Sequence, residues 1–176
     1  MTVSAPARWV LGGTLLAWAW MAAPALRETR LDPGEREAWR REILVVDPAQ
    51  VAAFLAAGDR RIVILDIREA PEFARDHVPT ALNVPLRDVP GMDLADCLQA
   101  DLVIPYCLKD LRGFEAARVL RERGVPNVAL FEGFGLAGWS DAANLPLAGA
   151  RSGMDDAAVL EKLKGFGADS SLEGIR

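Results

Sequence analysis

The chain has 176 residues, of which 51% are hydrophobic and 26% charged, so it is long and apolar enough for one domain with a buried core. Its formal net charge of −5 argues against a nucleic-acid-binding protein, because such a protein needs a basic surface to neutralise phosphates. It contains two cysteines and one histidine, without metal-type cysteine spacing, so we expect no disulfide framework, no metal site and no cofactor.

The first feature along the chain is an uncharged apolar segment, residues 9–26 (WVLGGTLLAWAWMAAPAL). As a helix it would be about 27 Å long, close to the thickness of the hydrocarbon core of a bilayer. We therefore predict an N-terminal hydrophobic helix within residues 1–26, which would act as a single-pass transmembrane anchor. A cleaved signal segment is the alternative, because Arg8 precedes a short apolar run and Ala23-Pro24-Ala25 has the composition of a cleavage site.

The charges on the two sides of this segment indicate its orientation. Arg8 stands alone before the segment, whereas five arginines follow it in a charged linker, residues 27–42. Because the more positive flank of an anchor stays on the cytoplasmic side of the membrane, this asymmetry favours a cytoplasmic domain. A periplasmic domain is the alternative.

From residue 43 onward, predicted strands alternate with predicted helices. Short apolar runs rich in β-branched residues predict strands at 43–46, 61–67, 81–84, 102–107 and 127–131. Capping residues and helical spacing predict helices at 48–57, 69–75, 92–99 and 113–124, and one at 155–164 within a polar C-terminal extension, residues 149–176. This alternation predicts an α/β fold with a central parallel sheet covered by helices on both faces.

One stretch, YCLKDLRGFEAARVL (106–120), has the pattern of a reactive site. Cys107 ends an apolar strand, and an amphipathic helix begins at about Arg112. Backbone N–H groups of the intervening loop and of the helix start can converge on the sulfur, where they would favour a thiolate and an anionic persulfide. Lys109 and Arg112 add positive charge for an anionic substrate. The pattern predicts that Cys107 is a nucleophile.

Three motifs in this order resemble the rhodanese family. LDIREAPEFARDHVPTALNVP (65–85) is similar to the first signature of the family. Cys107 through Arg112 resembles its six-residue catalytic loop, in which an arginine follows the cysteine by five positions. NVALFEGFGLAGW (127–139) with Leu145-Pro146 resembles the closing signature. The resemblance spans residues 43–148, which we expect to form a rhodanese-like domain.

The resemblance implies a three-layer rhodanese-like fold and a sulfurtransferase activity. In this activity, sulfane sulfur passes from a donor, through a persulfide on Cys107, to a thiophilic acceptor; the substrate would be a small sulfur-containing anion or a thiol. A six-residue loop suits sulfur, whereas related phosphatases use a loop one residue longer. The resemblance also implies that Leu108, Lys109, Asp110, Leu111 and Arg112 bind the substrate, and that Asp66, Arg68, Glu72 and His77 support the site.

The sequence departs from the family pattern at three places. Asp110 stands where the loop often has glycine, Thr80 replaces the glycine of the turn after His77, and Gly133-Phe134-Gly135 interrupts a glycine pair. A carboxylate beside the site would repel an anionic donor such as thiosulfate or raise the pKa of the thiol. The alternatives are that Asp110 pairs with Lys109 or Arg112, or that it faces solvent. The alternative hypothesis is therefore an accessory, non-catalytic module on the same fold that docks on a membrane-protein complex.

The second cysteine, Cys97, lies in a predicted short helix. We expect it to be an inert packed side chain, because a cysteine in a helix most often behaves as a small hydrophobic residue. A resolving thiol that forms a disulfide with Cys107 is the alternative.

Overall fold

The computed structural model describes residues 43–108, 111–133 and 135–165. The predicted hydrophobic helix in residues 1–26 and the charged linker at 27–42 lie outside this part of the chain. Within the described ranges, no helix combines the length and the apolar character that crossing a bilayer requires. The chain divides between Glu42 and Ile43, and every described residue belongs to the second unit.

Strands and helices alternate through this unit, as the sequence predicts. The strands are β1 (Leu44–Val46), β2 (Ile62–Asp66), β3 (Leu82–Asn83), β4 (Leu102–Tyr106) and β5 (Ala129–Phe131). The helices are α1 (Pro48–Ala57), α2 (Ala70–Arg75), α3 (Ala95–Gln99), α4 (Leu111–Glu122), α5 (Gly135–Ala137) and α6 (Asp156–Lys164). A 3-10 helix (Leu86–Gly91) follows β3, and a π-helical turn (Gly138–Ala142) follows α5.

The strands pair in parallel. β1 pairs with β5, and β2 pairs with both β3 and β4, with Ile64 opposite Ile104 and Asp66 opposite Tyr106. A parallel bridge between Val103 and Val128 connects β4 with the segment that leads into β5, which gives the order β1-β5-β4-β2-β3. β4 is therefore the middle strand, and the residue that follows it lies at the centre of the carboxyl edge of the sheet.

Helix α1 shows how the local sequence sets the ends of an element. The side chain of Asp47 accepts a hydrogen bond from the backbone N–H of Ala49 at 2.8 Å, so one of the unpaired donors of the first turn is satisfied. Pro48 occupies the first helical position, where the missing N–H costs nothing. Gly58 ends the helix with a left-handed backbone, φ 67°.

Helices cover both faces of the sheet. Ile64, Ile104 and Tyr106 point into one core cluster, together with buried residues of α1 and α6. On the opposite face, Val103 is fully buried, and α4 packs so closely on β4 that a Cβ atom at Gly113 would lie 3.3 Å from the carbonyl oxygen of Pro105. This alternation is the period of two expected for a strand that is buried on both sides.

The C-terminal segment differs from its sequence-based description as a polar extension. Helix α6 packs against α1, and its residues Val159 and Leu163 are fully buried in the core cluster. These two side chains lie four positions apart, on one face of a helix whose other positions are mostly polar. Because only this narrow stripe is apolar, the segment has a polar composition although its helix contributes to the core.

Candidate active site

Cys107 directly follows the middle strand β4. Its side chain and backbone together are only 1% exposed, and its backbone oxygen accepts a hydrogen bond from the N–H of Leu136 at 2.8 Å. Neither Cys107 nor Cys97 is in a disulfide. The cysteine is therefore held at the carboxyl edge of the sheet by the strand before it and by the start of α5.

Gly135 allows the chain after β5 to pass directly over Cys107. Its backbone is left-handed, φ 61°, and a Cβ atom at this position would overlap the carbonyl oxygen of Cys107. Only glycine combines this dihedral angle with so close an approach. Sequence reasoning noted this glycine only as half of an interrupted pair and did not assign it to the site.

Asp66 and Arg68, which the sequence predicts to support the site, form a buried ion pair at the end of β2. The guanidinium Nη2 of Arg68 lies 2.6 Å from Oδ2 of Asp66, and Nη1 lies 3.1 Å from Oδ1 of Asp76. Asp66 and Arg68 are 0% exposed and Asp76 is 3% exposed. Ion pairs at such depth depend on complete pairing, because loss of one partner leaves the other charge buried alone.

The charges of this network shift the pKa values of its members. Burial opposes the charged form of Arg68, but the hydrogen bond and the charge of Asp66 outweigh it and raise the pKa of Arg68. Burial would likewise raise the pKa of Asp76, yet hydrogen bonds from Arg68 and Arg75 hold it below its usual value. Both groups therefore remain charged at neutral pH.

Tyr106 connects the network to the residue before Cys107. Its hydroxyl group donates to Oδ2 of Asp66 at 2.6 Å and accepts from the backbone N–H of Val78 at 3.1 Å. Burial and the neighbouring carboxylate of Asp66 raise the pKa of Tyr106, so the phenol stays protonated. Tyr106 and Asp76 were not among the site residues predicted from the sequence, because their contacts join segments that are distant along the chain.

Arg112, the last residue of the predicted loop, lies in the first turn of α4 and points toward α2. Its Nη1 atom is 3.6 Å from Oε2 of Glu72, and both side chains are partly exposed. Glu72 also accepts from the backbone N–H of Glu69 at 3.2 Å, which caps the start of α2. Glu69 in turn binds Arg87 at 2.6 Å, and the hydrogen bond from Arg87 lowers the pKa of Glu69.

His77, the fourth predicted supporting residue, lies after α2. Its ring stacks on that of Phe73, with 4.0 Å between the ring centroids. Nδ1 is 2.9 Å from the carbonyl oxygen of Phe73, and Nε2 is 3.1 Å from a carboxylate oxygen of Asp156. These contacts fix the orientation of the ring, and the role of His77 in supporting the site stays a prediction.

Of the five residues predicted to bind the substrate, the structure describes the side chains of two. Leu108 is 41% exposed beside Cys107, and Arg112 is engaged with Glu72. Lys109 and Asp110 lie outside the described residues, as does the side chain of Leu111. Among the residues that the structure does describe, no three metal-ligating side chains come together.

Cys97 occupies a different environment from Cys107. It lies in α3 and is 2% exposed. Burial and the nearby charge of Asp96 raise the pKa of Cys97, which disfavours its reactive thiolate form. This agrees with the inert packing expected from the sequence.

Comparison with known proteins identifies several sulfurtransferases among the relatives. The thiosulfate:glutathione sulfurtransferase of Saccharomyces cerevisiae is 32% identical over 87 residues, a match that covers 43% of this chain and 63% of the yeast protein. The putative mitochondrial thiosulfate sulfurtransferase of Schizosaccharomyces pombe is 29% identical over 96 residues, 48% of this chain and 67% of that protein. This chain matches only 21% of the length of a probable molybdopterin-synthase adenylyltransferase of Gracilaria tenuistipitata.

Solved structures and the family comparison agree with the observed fold. The thiosulfate sulfurtransferase of Pseudomonas aeruginosa superposes with a TM-score of 0.52 at 31% identity, over 57% of this chain and 19% of that one. A Rhodopseudomonas palustris protein of unknown function, described as a possible tyrosine phosphatase, superposes with a TM-score of 0.51 at 24% identity. This match covers 61% of this chain and 86% of that one, and at this identity it is evidence for the fold only. The sequence model of the family described as "Rhodanese-like domain" matches residues 47–142. The chain therefore belongs to the rhodanese-like domain family.

Proposed function

We propose that this protein is a sulfurtransferase and that Cys107 carries the transferred sulfur. The observation that supports the proposal best is the position of Cys107 between the end of the middle strand and the start of α4, directly after Tyr106, whose hydroxyl group bonds to a buried network of charged residues. The names of two relatives also support the proposal: the Saccharomyces cerevisiae protein is called a thiosulfate:glutathione sulfurtransferase, and the Schizosaccharomyces pombe protein a putative thiosulfate sulfurtransferase.

In the first step, the thiolate of Cys107 attacks the sulfane sulfur of the donor. With thiosulfate as donor, the bond between the two sulfur atoms of thiosulfate breaks, sulfite leaves with the electron pair, and a persulfide, Cys–S–S⁻, remains. In the second step, a thiolate or cyanide attacks the outer sulfur of the persulfide. The S–S bond breaks, the acceptor departs as a persulfide or as thiocyanate, and the thiolate of Cys107 is restored.

The surrounding residues have three roles in this proposal. The N–H groups at the start of α4 stabilise the negative charge of thiolate and persulfide, as helix N-termini do for anions. Asp66, Arg68 and Tyr106 hold in place the end of β4, the strand that leads into Cys107. Glu72 keeps the guanidinium of Arg112 at the edge of the loop, where it can meet an anionic donor or acceptor.

The substrate class follows from the same features. We propose a small sulfur-containing anion as donor and a thiol as acceptor, with Leu108, Lys109, Asp110, Leu111 and Arg112 as the residues that contact them. The negative charge of Asp110 would lower the affinity for a dianion such as thiosulfate, so we propose that another sulfane-sulfur donor is preferred over thiosulfate.

Mass spectrometry of the full-length protein tests the proposal. After incubation with thiosulfate, with glutathione persulfide and with polysulfide, Cys107 is expected to gain about 32 Da, one sulfur atom, and to lose it when cyanide is added. Cys107→Ser removes the adduct, whereas the matched variant Cys97→Ser retains it. A Cys107 that stays unmodified with all three donors would refute the proposed function.

The burial of Cys107 favours a second candidate function. Cys107 is only 1% exposed, so substrates have little access to its thiol. This burial favours an accessory module that performs no turnover and docks on a membrane-protein complex. Purification of the full-length protein in mild detergent separates the two functions. A stable partner together with absent sulfur transfer supports the module, and an active protein without partners supports the enzyme.

We also propose that residues 9–26 attach the protein to a membrane, with the domain on the cytoplasmic side. The support is the uncharged apolar run and the arginines that follow it. Extraction of membranes at alkaline pH tests the attachment: an integral protein stays in the pellet, whereas a peripheral protein or a processed secreted protein appears in the supernatant.

A further inference from the structure

Residues 148–164, here called the C-terminal clamp, lie beyond the region that matches the family. They contact residues 75–77, at the end of α2. The backbones of His77 and Ala148 exchange two hydrogen bonds, at 2.8 and 2.9 Å. Arg151 donates its backbone N–H to the carbonyl oxygen of Arg75 at 2.8 Å, and its side chain lies 3.6 Å from Asp76. Gly149 packs so tightly here that a Cβ atom would lie 2.8 Å from the carbonyl oxygen of Arg75.

At the start of α6, the side chain of Asp156 joins the clamp to His77. Asp156 is the first residue of α6, and the helix behind it buries Val159 and Leu163 in the core. Both ring nitrogens of His77 face oxygen atoms: Nδ1 faces the carbonyl oxygen of Phe73 at 2.9 Å, and Nε2 faces the carboxylate of Asp156 at 3.1 Å. A carbonyl oxygen and an ionised carboxylate can only accept hydrogen bonds.

This geometry distinguishes the two charge states of His77. A neutral imidazole has one N–H, so in either tautomer one of the two oxygens faces a nitrogen lone pair instead of a donor. An imidazolium has two N–H groups, satisfies both oxygens and adds a charge-assisted hydrogen bond to Asp156. The contact that joins α6 to α2 is therefore complete only when His77 is protonated.

We propose that the C-terminal clamp is a pH-responsive device, which holds α6 against the segment after α2 more tightly when His77 is protonated. The other charged groups close to this contact are accounted for by their own partners: Asp76 binds Arg68, Arg75 and Arg151, Asp155 caps α6 at the N–H of Ala158, and Glu72 binds Arg112. His77 is the only histidine of the chain, so no other imidazole contributes to this response.

The clamp also reaches the candidate active site. His77 follows Asp76, whose carboxylate binds Arg68, and Arg68 binds the Asp66 that holds Tyr106 beside Cys107. Residues 148–164 therefore act as a positioning element for Cys107, a consequence that rests on the proposed function. Loosening of the clamp at higher pH is expected to reduce the order of that network.

Hydrogen exchange of the full-length protein tests the clamp directly. Protection factors of the α6 amides are measured at about pH 5.5 and pH 8, the range in which histidine changes its charge, in the wild type, in Asp156→Asn and in Asp155→Asn. Asp155→Asn is the matched control, since it removes the same charge one residue away and keeps a good N-cap. We expect protection to fall about three- to tenfold with rising pH in the wild type and in Asp155→Asn, and less than about twofold in Asp156→Asn.

A second measurement uses the wild type alone and does not depend on the folding of a variant. The ¹⁵N chemical shifts of the single histidine report the charge state of its ring, and they are followed over the same pH range. The loss of charge on His77 should coincide with the loss of protection in α6. Protection that stays constant while His77 changes charge, or a response of Asp156→Asn equal to that of the wild type, would overturn the clamp.

Sulfur transfer gives a separate outcome. If Cys107 takes up no sulfur at either pH while α6 still responds to His77, the proposed function fails and the clamp stands. If sulfur transfer occurs and the α6 amides do not respond, the clamp fails and the proposed function stands.

Discussion

The hydroxyl group of Tyr106 lies 2.6 Å from Oδ2 of Asp66, and this hydrogen bond joins the residue before Cys107 to the buried ion pair at the end of β2. The same hydroxyl accepts the backbone N–H of Val78 at 3.1 Å. One oxygen atom thus links β4, β2 and the turn after α2. Because all of these groups are buried, water cannot replace a missing partner, and each partner is expected to contribute measurably to stability.

Tyr106→Phe should lower the free energy of unfolding by about 1–3 kcal/mol, because it leaves the N–H of Val78 without a partner and removes a donor from Asp66. Urea unfolding followed by circular dichroism measures the change. Ser140→Ala is the control: it removes a hydroxyl group that bonds to the carbonyl oxygen of Leu136 near solvent, and it should cost less than about 0.5 kcal/mol. An equal loss of stability in the two variants would show that the hydrogen bonds of Tyr106 do not stabilise the network.

Gly135→Ala should destabilise the protein by about 3 kcal/mol or more. The added methyl group meets a left-handed backbone and also the carbonyl oxygen of Cys107, so either the chain after β5 or the cysteine must move. Gly58→Ala is the matched control, because Gly58 has the same handedness, φ 67°, with no atom within 4 Å of the added Cβ. Gly58→Ala should lower the free energy of unfolding by only about 1–2 kcal/mol, the cost of a left-handed backbone in a residue with a Cβ atom. A difference of less than about 0.5 kcal/mol between the variants would contradict the close packing over Cys107.

The predicted elements that the structure confirms are those whose signals are local. The helix predicted at 48–57 and the buried strands each depend on residues within one short stretch. The position of Cys107 at the end of β4 follows from the same local pattern, since an apolar run ends at it and a helical pattern follows. Local propensity and hydrophobic spacing are enough for such predictions.

The residues that sequence reasoning missed depend on contacts between distant segments. Asp156 meets His77 across 79 positions, and Tyr106 meets Asp66 across 40 positions. Neither contact leaves a periodic signal, because each depends on the register of two elements that the fold brings together. Gly135 was visible in the sequence, but its role requires the observation that the chain passes over the backbone of Cys107.

Thr80→Gly should stabilise the protein by about 0.5–1 kcal/mol. Thr80 is exposed and has φ 65°, a left-handed conformation that a β-branched residue adopts only at a cost. Glycine removes that cost, although part of the gain is lost to the greater freedom of the unfolded chain. Thermal unfolding should shift upward by about 2–5 °C. Thr80→Ala, which keeps the Cβ atom, should recover less of the gain, and a Thr80→Gly variant that melts at or below the wild-type temperature would contradict the strain at this position.

Asp76 should make the stability of the protein sensitive to acid. Its pKa lies below the usual value in the folded protein, although burial alone would raise it, because hydrogen bonds from Arg68 and Arg75 favour the carboxylate. The unfolded chain therefore binds a proton at this carboxyl at higher pH than the folded protein does. The stability that Asp76 contributes is complete above the pKa of an unperturbed aspartate, about 3.9, and is lost as the pH falls toward the folded-state value.

Asp76→Asn separates this contribution from those of other carboxylates. At about pH 6 the variant should be less stable than the wild type by about 3–5 kcal/mol, because Arg68 loses one of its two buried carboxylate partners. The difference should shrink by up to about 1 kcal/mol between pH 6 and pH 3, because the unfolded wild type binds a proton at this carboxyl below about pH 3.9. Asp88→Asn is the control, since Asp88 is exposed and lies 3.9 Å from an exposed Arg87. Urea unfolding of the three proteins at several pH values measures how the free energy of unfolding depends on pH. A stability difference between wild type and Asp76→Asn that grows as the pH falls would contradict a lowered pKa of Asp76 in the folded protein.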